Sequence, residues 1–339
     1  MKNLRKVLVL FTAVIVLFSV VACNRREEES NTSTPIGNVS VSPKNEYNLG
    51  FGLVQEISDQ KAAYTATFAA VVTDATGKII KCVVDQLEAE ADTDNITQSI
   101  GKEFPTKTTL GDQYAMKGAS GIGKEWYEQA NAFAEHCVGK TAAEVESSLG
   151  TDGKIPDLSA SCTVNATDFV SAVKTAVKNT GSSFNTENPD EMKLGLSVKA
   201  VLSSSSNESA ADDSGKAVFS CTFSAAAVDG NSKVYYTYID EAECEIPFDA
   251  EGKVILDQVK KPYSKKEKGK DYGMKAASKI NKEWFEQANA FESYCVGKTA
   301  EQILSAPDQE GKVPDLAASC TVYSANFAAA VADAMKNAK

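Results

Sequence analysis

The sequence predicts an α+β protein in which one domain is written twice. Lys124–Ala142, KEWYEQANAFAEHCVGKTA, returns 158 residues later as Lys282–Ala300, KEWFEQANAFESYCVGKTA, with 15 of 19 positions identical. At the same offset Gly153–Val164, GKIPDLSASCTV, returns as Gly311–Val322, GKVPDLAASCTV. In each copy a strand-like hairpin precedes residues spaced for helices, the order expected when helices pack on an antiparallel sheet. A length of 339 residues holds roughly two domains of about 130 to 150 residues, each with its own core. The duplication also sorts motifs, because a site used by both copies should recur in both.

The N-terminus carries Lys2, Arg5 and Lys6, an apolar run from Val7 to Val21, and then Val20-Val21-Ala22-Cys23. A charged start, a short apolar stretch and small residues before a cysteine form a secretory signal. It resembles a bacterial lipoprotein signal with its lipobox at Val20–Cys23. That resemblance implies removal of residues 1–22 and lipidation of Cys23, with the protein held at the extracytoplasmic face of the cell membrane. Two or more acyl chains, at about 0.8 kcal/mol per buried methylene, suffice for a stable anchor. The net charge of −11 becomes −14 when the three basic residues of the signal leave. An acidic surface repels phosphate backbones, so nucleic acid is not an expected partner.

Residues 23–47 are rich in Ser, Thr, Asn, Pro and charge with no apolar period, and read as a flexible tether. The first repeat, residues 48–179, opens with strand-like runs at Gly50–Ile57, Ala62–Val72 and Lys78–Gln86. The last two are joined by the turn Thr73-Asp74-Ala75-Thr76-Gly77. The second repeat, residues 192–339, has the matching runs Ala217–Val228 and Lys233–Ile246 around Asp229-Gly230-Asn231-Ser232, and an inserted polar loop at Ser203–Gly215. Thr180–Asp190 reads as the linker between the copies.

The helices follow. Trp126, Ala130, Phe133 and Cys137 lie at i, i+4, i+7 and i+11, one face of a helix stopped at Gly139, and Trp284, Ala288, Phe291 and Cys295 repeat them. A last helix spans about Thr167–Lys178 and, in the second copy, Asn326–Lys336.

Several motifs fail the duplication test. Gly118–Lys124 imitates a phosphate-binding loop, but Glu125 stands where a Ser or Thr would hold magnesium, and the second copy has Ala276 and Asn281 in place of glycines. His136, the sole histidine, aligns with Tyr294, which removes Ser-His and Cys-His catalysis and most zinc enzymes. Trp126 and Trp284 recur on an apolar helix face, where core packing is the default over stacking on a ligand. Cys82, Cys221 and Cys244 have no cysteine counterparts. Cys137 and Cys162 recur as Cys295 and Cys320 with the same separation. In an exported protein two disulfides, Cys137–Cys162 and Cys295–Cys320, are one reading and four buried thiols the other.

Asp157-Leu-Ser-Ala160-Ser161-Cys162-Thr163-Val164, followed by a helix and preceded by a strand-turn-strand opening, resembles the bacterial FMN-binding domain family of exported redox proteins. In that family an Asp precedes a Ser/Thr-Gly-Ala-Ser/Thr segment whose last hydroxyl can carry FMN as a phosphate ester. Carried over, Asp157 and Asp315 match the acid, and Thr163 and Thr321 the hydroxyl. Ser161, Val164, Ser319 and Val322 lie in the segment whose backbone N–H groups would hold the phosphate. Ala160 and Ala318 replace Ser/Thr, Ser161 and Ser319 replace Gly, and Cys162 and Cys320 replace Ala. The added Cβ where glycine admits close approach favours non-covalent FMN over an ester. The resemblance implies a flavin-carrying electron-transfer lipoprotein with a redox partner at the membrane, a carrier more than a catalyst. The alternative is a binding or structural module that keeps the scaffold without the cofactor.

Overall fold

The computed structural model describes residues 46–94, 96–206 and 215–339. The signal peptide, Cys23, almost all of the tether and most of the inserted loop lie outside the described residues.

Among the described residues, eight strands form two antiparallel sheets. The first repeat supplies β1 (Glu46–Ile57), β2 (Ala63–Asp74) and β3 (Ile79–Glu90), each twelve residues long. Then come the two-residue β4 (Glu103–Phe104) and the helices α1 (Lys107–Leu110), α2 (Trp126–Cys137), α3 (Ala142–Ser147) and α4 (Thr167–Lys178). After β5 (Thr180–Asn185), the second repeat supplies β6 (Lys193–Ser206), β7 (Gly215–Val228) and β8 (Val234–Phe248). Its helices are α5 (Lys265–Lys268), α6 (Trp284–Cys295), α7 (Ala300–Leu304) and α8 (Ala325–Lys336).

The strand order is β3-β2-β1-β5 in one sheet and β4-β6-β7-β8 in the other. The first repeat therefore lends one edge piece, β4, to the sheet of the second. Glu103 and Phe104 of the first repeat pair with Val201 and Ala200 of the second. Thr180–Asn185, expected as a linker, pairs with β1 as an edge strand. Its own sequence, TGSSFN, has Thr180 and Phe184 but no apolar alternation that would mark a strand. The free edge of β1 provides the pairing, and Phe184 stacks on Tyr235 of the second repeat with ring centres 5.4 Å apart.

Each sheet is covered on both faces, which is why β2 and β7 read as nearly unbroken apolar runs. The outer face of the first sheet (Ala69, Val71, Ile79, Val84) packs on α2 and α4, and that of the second (Ala226, Val228, Val234, Ile239) on α6 and α8. The inner faces pack on one another. Phe51 and Phe68 of the first repeat meet Phe223 of the second at 4.8 and 5.7 Å, and Tyr64 meets Phe219 at 5.9 Å. The layers run helix, sheet, sheet, helix, and both repeats fall within one compact unit. Besides one helix–sheet core in each repeat, there is thus a third core that both repeats build together.

Two glycines set the helix–sheet distance. A Cβ on Gly50 would lie 2.0 Å from the carbonyl oxygen of Ala176 in α4, and one on Gly195 would lie 1.9 Å from that of Ala334 in α8. Helix backbone thus sits directly on strand backbone, in both copies. Gly195→Ala should lower the unfolding free energy by about 1–3 kcal/mol through overpacking. Gly118→Ala, which meets no atom within 4 Å, should change it by less than about 0.5 kcal/mol. Urea unfolding of the two variants checks this.

Candidate functional site

The loop that resembles a phosphate site is built alike in both copies, and its donors are engaged within the protein. Asp157 and Asp315 lie exposed on the single 3-10 turns Pro156–Leu158 and Pro314–Leu316. The N–H groups of Ser161 and Cys162 both donate to the carbonyl of Leu158, at 2.8 and 2.7 Å, and those of Ser319 and Cys320 to Leu316 at the same distances. Val164 and Val322 pack against the helix–sheet cores, and their N–H groups point to the sulfurs of Cys162 and Cys320.

Gln129 holds Thr163, and Gln287 holds Thr321. In the first copy the Oε1 of Gln129 accepts from the Thr163 N–H at 2.8 Å and its hydroxyl at 3.2 Å, while Nε2 donates to Ser120 Oγ and the carbonyl of Lys124. Gln287 repeats this with Thr321 at 2.8 and 3.2 Å, Ser278 Oγ and the carbonyl of Lys282. Both amides are fully buried. One amide thereby ties together two loops and a helix, and the threonine hydroxyl assigned to a flavin phosphate serves as a structural partner. The duplication makes the glutamine visible in the sequence, but its role emerges only when the loops meet.

Cys137, Cys162, Cys295 and Cys320 are buried and present as thiols, without bridges. Cys137 has Cys82 of β3 as a thiol neighbour, and the hydrogen bond between them, with burial second, pushes the Cys82 thiol well up. Cys320 Sγ lies 3.5 Å from Ser324 Oγ. Trp126 and Trp284 pack in the core, edge-on to Phe169 and Phe327 at 5.7 and 5.6 Å. His136 bonds Ser148 Oγ at 3.1 Å, and burial lowers its pKa. The glycine-rich stretch is a turn: Gly123 has φ +63° and Asn281, its counterpart, φ +55°, a left-handed conformation that Asn tolerates nearly as well as Gly.

Two duplicated polar groups went unread in the sequence. Lys107, 6% exposed, lies between the rings of Tyr114 and Trp126 at 4.9 and 5.5 Å. It reaches Gln86 at 2.6 Å and Glu88 at 2.5 Å. Lys265 repeats it between Tyr272 and Trp284 at 5.2 and 5.5 Å, bonded to Glu241 at 2.6 Å. These ammonium groups clamp the short α1 and α5 turns to the sheet and to the start of the following helix. The signal was present: a lysine at the same offset in each copy, beside a helix that opens with Trp.

The second group is Asp85, with its counterpart Asp240, each buried on the inner face of an edge strand. Asp85 Oδ1 accepts from the N–H groups of Gln86 and Thr108 at 2.8 and 3.1 Å, and Asp240 Oδ1 from Glu241 and Lys266 at 2.8 and 3.0 Å. Beyond these shared bonds the copies diverge. Around Asp240, Tyr238 donates its hydroxyl to Oδ2 at 3.1 Å and stacks on Phe51 at 5.1 Å. Lys266 lies 4.0 Å from the Tyr238 ring centre and 2.5 Å from Glu292, which also accepts from the N–H of Ile239 at 2.6 Å.

Around Asp85 the corresponding residues are Val83, Leu196, Thr108 and Ala134 in place of Tyr238, Phe51, Lys266 and Glu292. Four larger side chains are replaced by smaller ones, and a groove of about 760 Å³ opens there. Its walls include Val83, Asp85, Thr108, Asn131, Leu196 and Lys339. The two ends of the sandwich thus differ: one edge is filled by the chain's own side chains and the other is open.

No protein-family profile matches the chain, and no solved structure matches it. Among curated proteins, a chlorophenol reductase of Desulfitobacterium hafniense is 35% identical over 94 residues, covering 24% of this chain and 29% of that protein.

Burial raises the pKa of Asp240 to about 6, against the opposing pull of Lys266 and its hydrogen bonds. A carboxyl that is harder to ionise folded than unfolded stabilises the fold at low pH. That stability is lost as pH rises from the unfolded value near 4 through the folded one. Relative to Asp240→Asn, the native protein should lose on the order of 2–3 kcal/mol of stability between pH 4 and pH 7. Urea midpoints of both proteins across that range measure the difference.

Proposed function

We propose that this chain is a lipid-anchored, extracytoplasmic binding protein that works through the open edge groove, on a scaffold used without flavin. The observation that carries the reading is the asymmetry of two otherwise matching edges. The same carboxylate, held by the same backbone donors, faces the chain's own tyrosine and lysine at one edge and an open groove at the other. The groove sets Val83 and Leu196 beside Asp85, Asn131, Lys199 and Lys336, and concave sites of this size are where small molecules bind.

The flavin reading draws less support. A phosphate would need N–H groups and a hydroxyl that Leu158, Gln129, Leu316 and Gln287 now occupy, and exchanging those buried bonds would leave Gln129 and Gln287 unsatisfied at about 1–3 kcal/mol each. The likeness to the chlorophenol reductase spans less than one repeat, so it carries no activity across.

Two measurements test the proposal. Protein purified from its own host should show no flavin absorbance near 450 nm, and added FMN should not be quenched. Saturable FMN binding that Thr163→Val and Thr321→Val abolish would reverse the reading in favour of a flavin carrier. For the anchor, the native chain should enter a detergent phase and Cys23→Ala should not. Detergent partitioning unchanged by the substitution would refute lipidation at that residue.

A further inference from the structure

The two copies tie helix to edge strand by different means. In the second repeat the carboxylate of Glu292 in α6 accepts the Ile239 N–H of β8 at 2.6 Å and holds Lys266. In the first repeat Ala134 and Val84 stand at those places, and a methyl group cannot accept a hydrogen bond. About one turn further along α2, two thiols meet instead: Cys137 and Cys82 share a hydrogen bond and pack in the same helix–sheet core. Backbone contacts fix their approach. The Gly139 N–H donates to the carbonyl of Ile79 at 2.8 Å and the Ile79 N–H to that of Lys140 at 2.9 Å, so the end of α2 is docked on the start of β3. Gly297, Val234 and Lys298 make the same two bonds at 2.8 and 3.1 Å. There, however, Thr237 takes the place of Cys82, and its hydroxyl donates to the carbonyl of Ala225 at 2.7 Å.

We infer that Cys82 and Cys137 are a modification site, closing to a disulfide that binds β3 to α2 in the first repeat alone. Cys162, the other partner considered for Cys137, is met by the Val164 N–H, and Cys320 by Ser324 Oγ. Cys137 is fully buried and Cys82 partly exposed, which sets the order of steps. Cys82 attacks one sulfur of a low-molecular-weight disulfide and expels the first thiol. Cys137 then attacks the Cys82 sulfur of the mixed disulfide and expels the second. Two protein S–H bonds and the S–S bond of the oxidant are exchanged for one protein S–S bond and two S–H bonds, so the oxidant takes up the electron pair and both protons. The hydrogen bond and burial that hold the Cys82 thiol up slow the first step, because the thiolate is the nucleophile. The site does not depend on what the groove binds. Val83 and Asp85 follow Cys82 on the groove wall, so the bond fixes the strand that forms one side of it.

The experiment equilibrates the folded full chain with oxidised glutathione, then denatures, alkylates and maps it under non-reducing conditions. The Cys82 and Cys137 peptides should be joined with the loss of two hydrogens, and Cys162, Cys221, Cys244, Cys295 and Cys320 should be alkylated. In urea the folding equilibrium constant of the oxidised chain should exceed that of the reduced chain by roughly thirtyfold to several hundredfold, an advantage that dithiothreitol removes. Cys82→Thr, which installs the residue of the second copy, should keep the native circular dichroism, remove the cross-link and make stability independent of oxidised glutathione. A Cys137–Cys162 cross-link, or glutathione held on Cys82 with Cys137 still free, would overturn the inference. So would both thiols remaining free in the folded chain under conditions where the urea-unfolded chain oxidises, since the native backbone would then be holding the sulfurs apart. The map of the native chain decides this whether or not the variant folds.

Discussion

Everything in this fold depends on the burial of two inner sheet faces against each other. A sheet with helices on one side leaves the other side apolar and unpaired, and a single repeat has no further element with which to cover it. Duplication solves the problem by symmetry, since the second copy presents the same kind of face. Phe51, Phe68, Tyr64, Phe219 and Phe223 are the contacts through which this happens. Fully burying side chains of this size stabilises by roughly 1.5–3 kcal/mol each, so the shared core is a large part of what makes either copy stable. The crossing of β4 into the second repeat's sheet follows from the same proximity.

The shared core also explains where chemistry can differ between copies. Residues in the middle of the sandwich face their own counterparts and are constrained together. Residues at its two ends face different neighbours, because the end beside β3 meets β6 and the end beside β8 meets β1. Val83 and Tyr238, Thr108 and Lys266, Ala134 and Glu292 all sit at those ends. Divergence there leaves the middle undisturbed, and one fold carries a closed edge and an open one.

Much of this was legible in the sequence. The strand runs and the internal repeat together made β1, β2, β3, β7 and β8 and the two long helices of each copy readable, with ends within a few residues, while β4 and β6 carried no signal that was read. Other parts were not legible for identifiable reasons. Strands buried on both faces lose their alternation, so nothing along β2 or β7 indicates that the inner face awaits another sheet. Thr180–Asn185 is a strand only because β1 has a free edge. Gln129 and Thr163 passed the duplication test together, yet the distance in sequence between them hid that they are partners. Asp85 and Lys107 passed it too, and were overlooked because a single acid in an apolar strand and a lysine near a Trp have no motif of their own. The disulfide reading of Cys137 and Cys162 rested on recurrence, which buried thiols satisfy equally well.

The pairing of β4 with the second repeat's sheet bears on how the chain acquires its structure. During synthesis the first copy emerges before the second, with the inner face of its sheet still bare. A bare aromatic face can be covered by the second copy of its own chain or, at high concentration, by that of another. Two chains paired in this way would keep every contact described above, with the stretch around residues 186–192 crossing between them, and would form a swapped dimer as well packed as the monomer. Local concentration then decides the outcome, and the attachment of the second copy a few residues after the first favours the monomer.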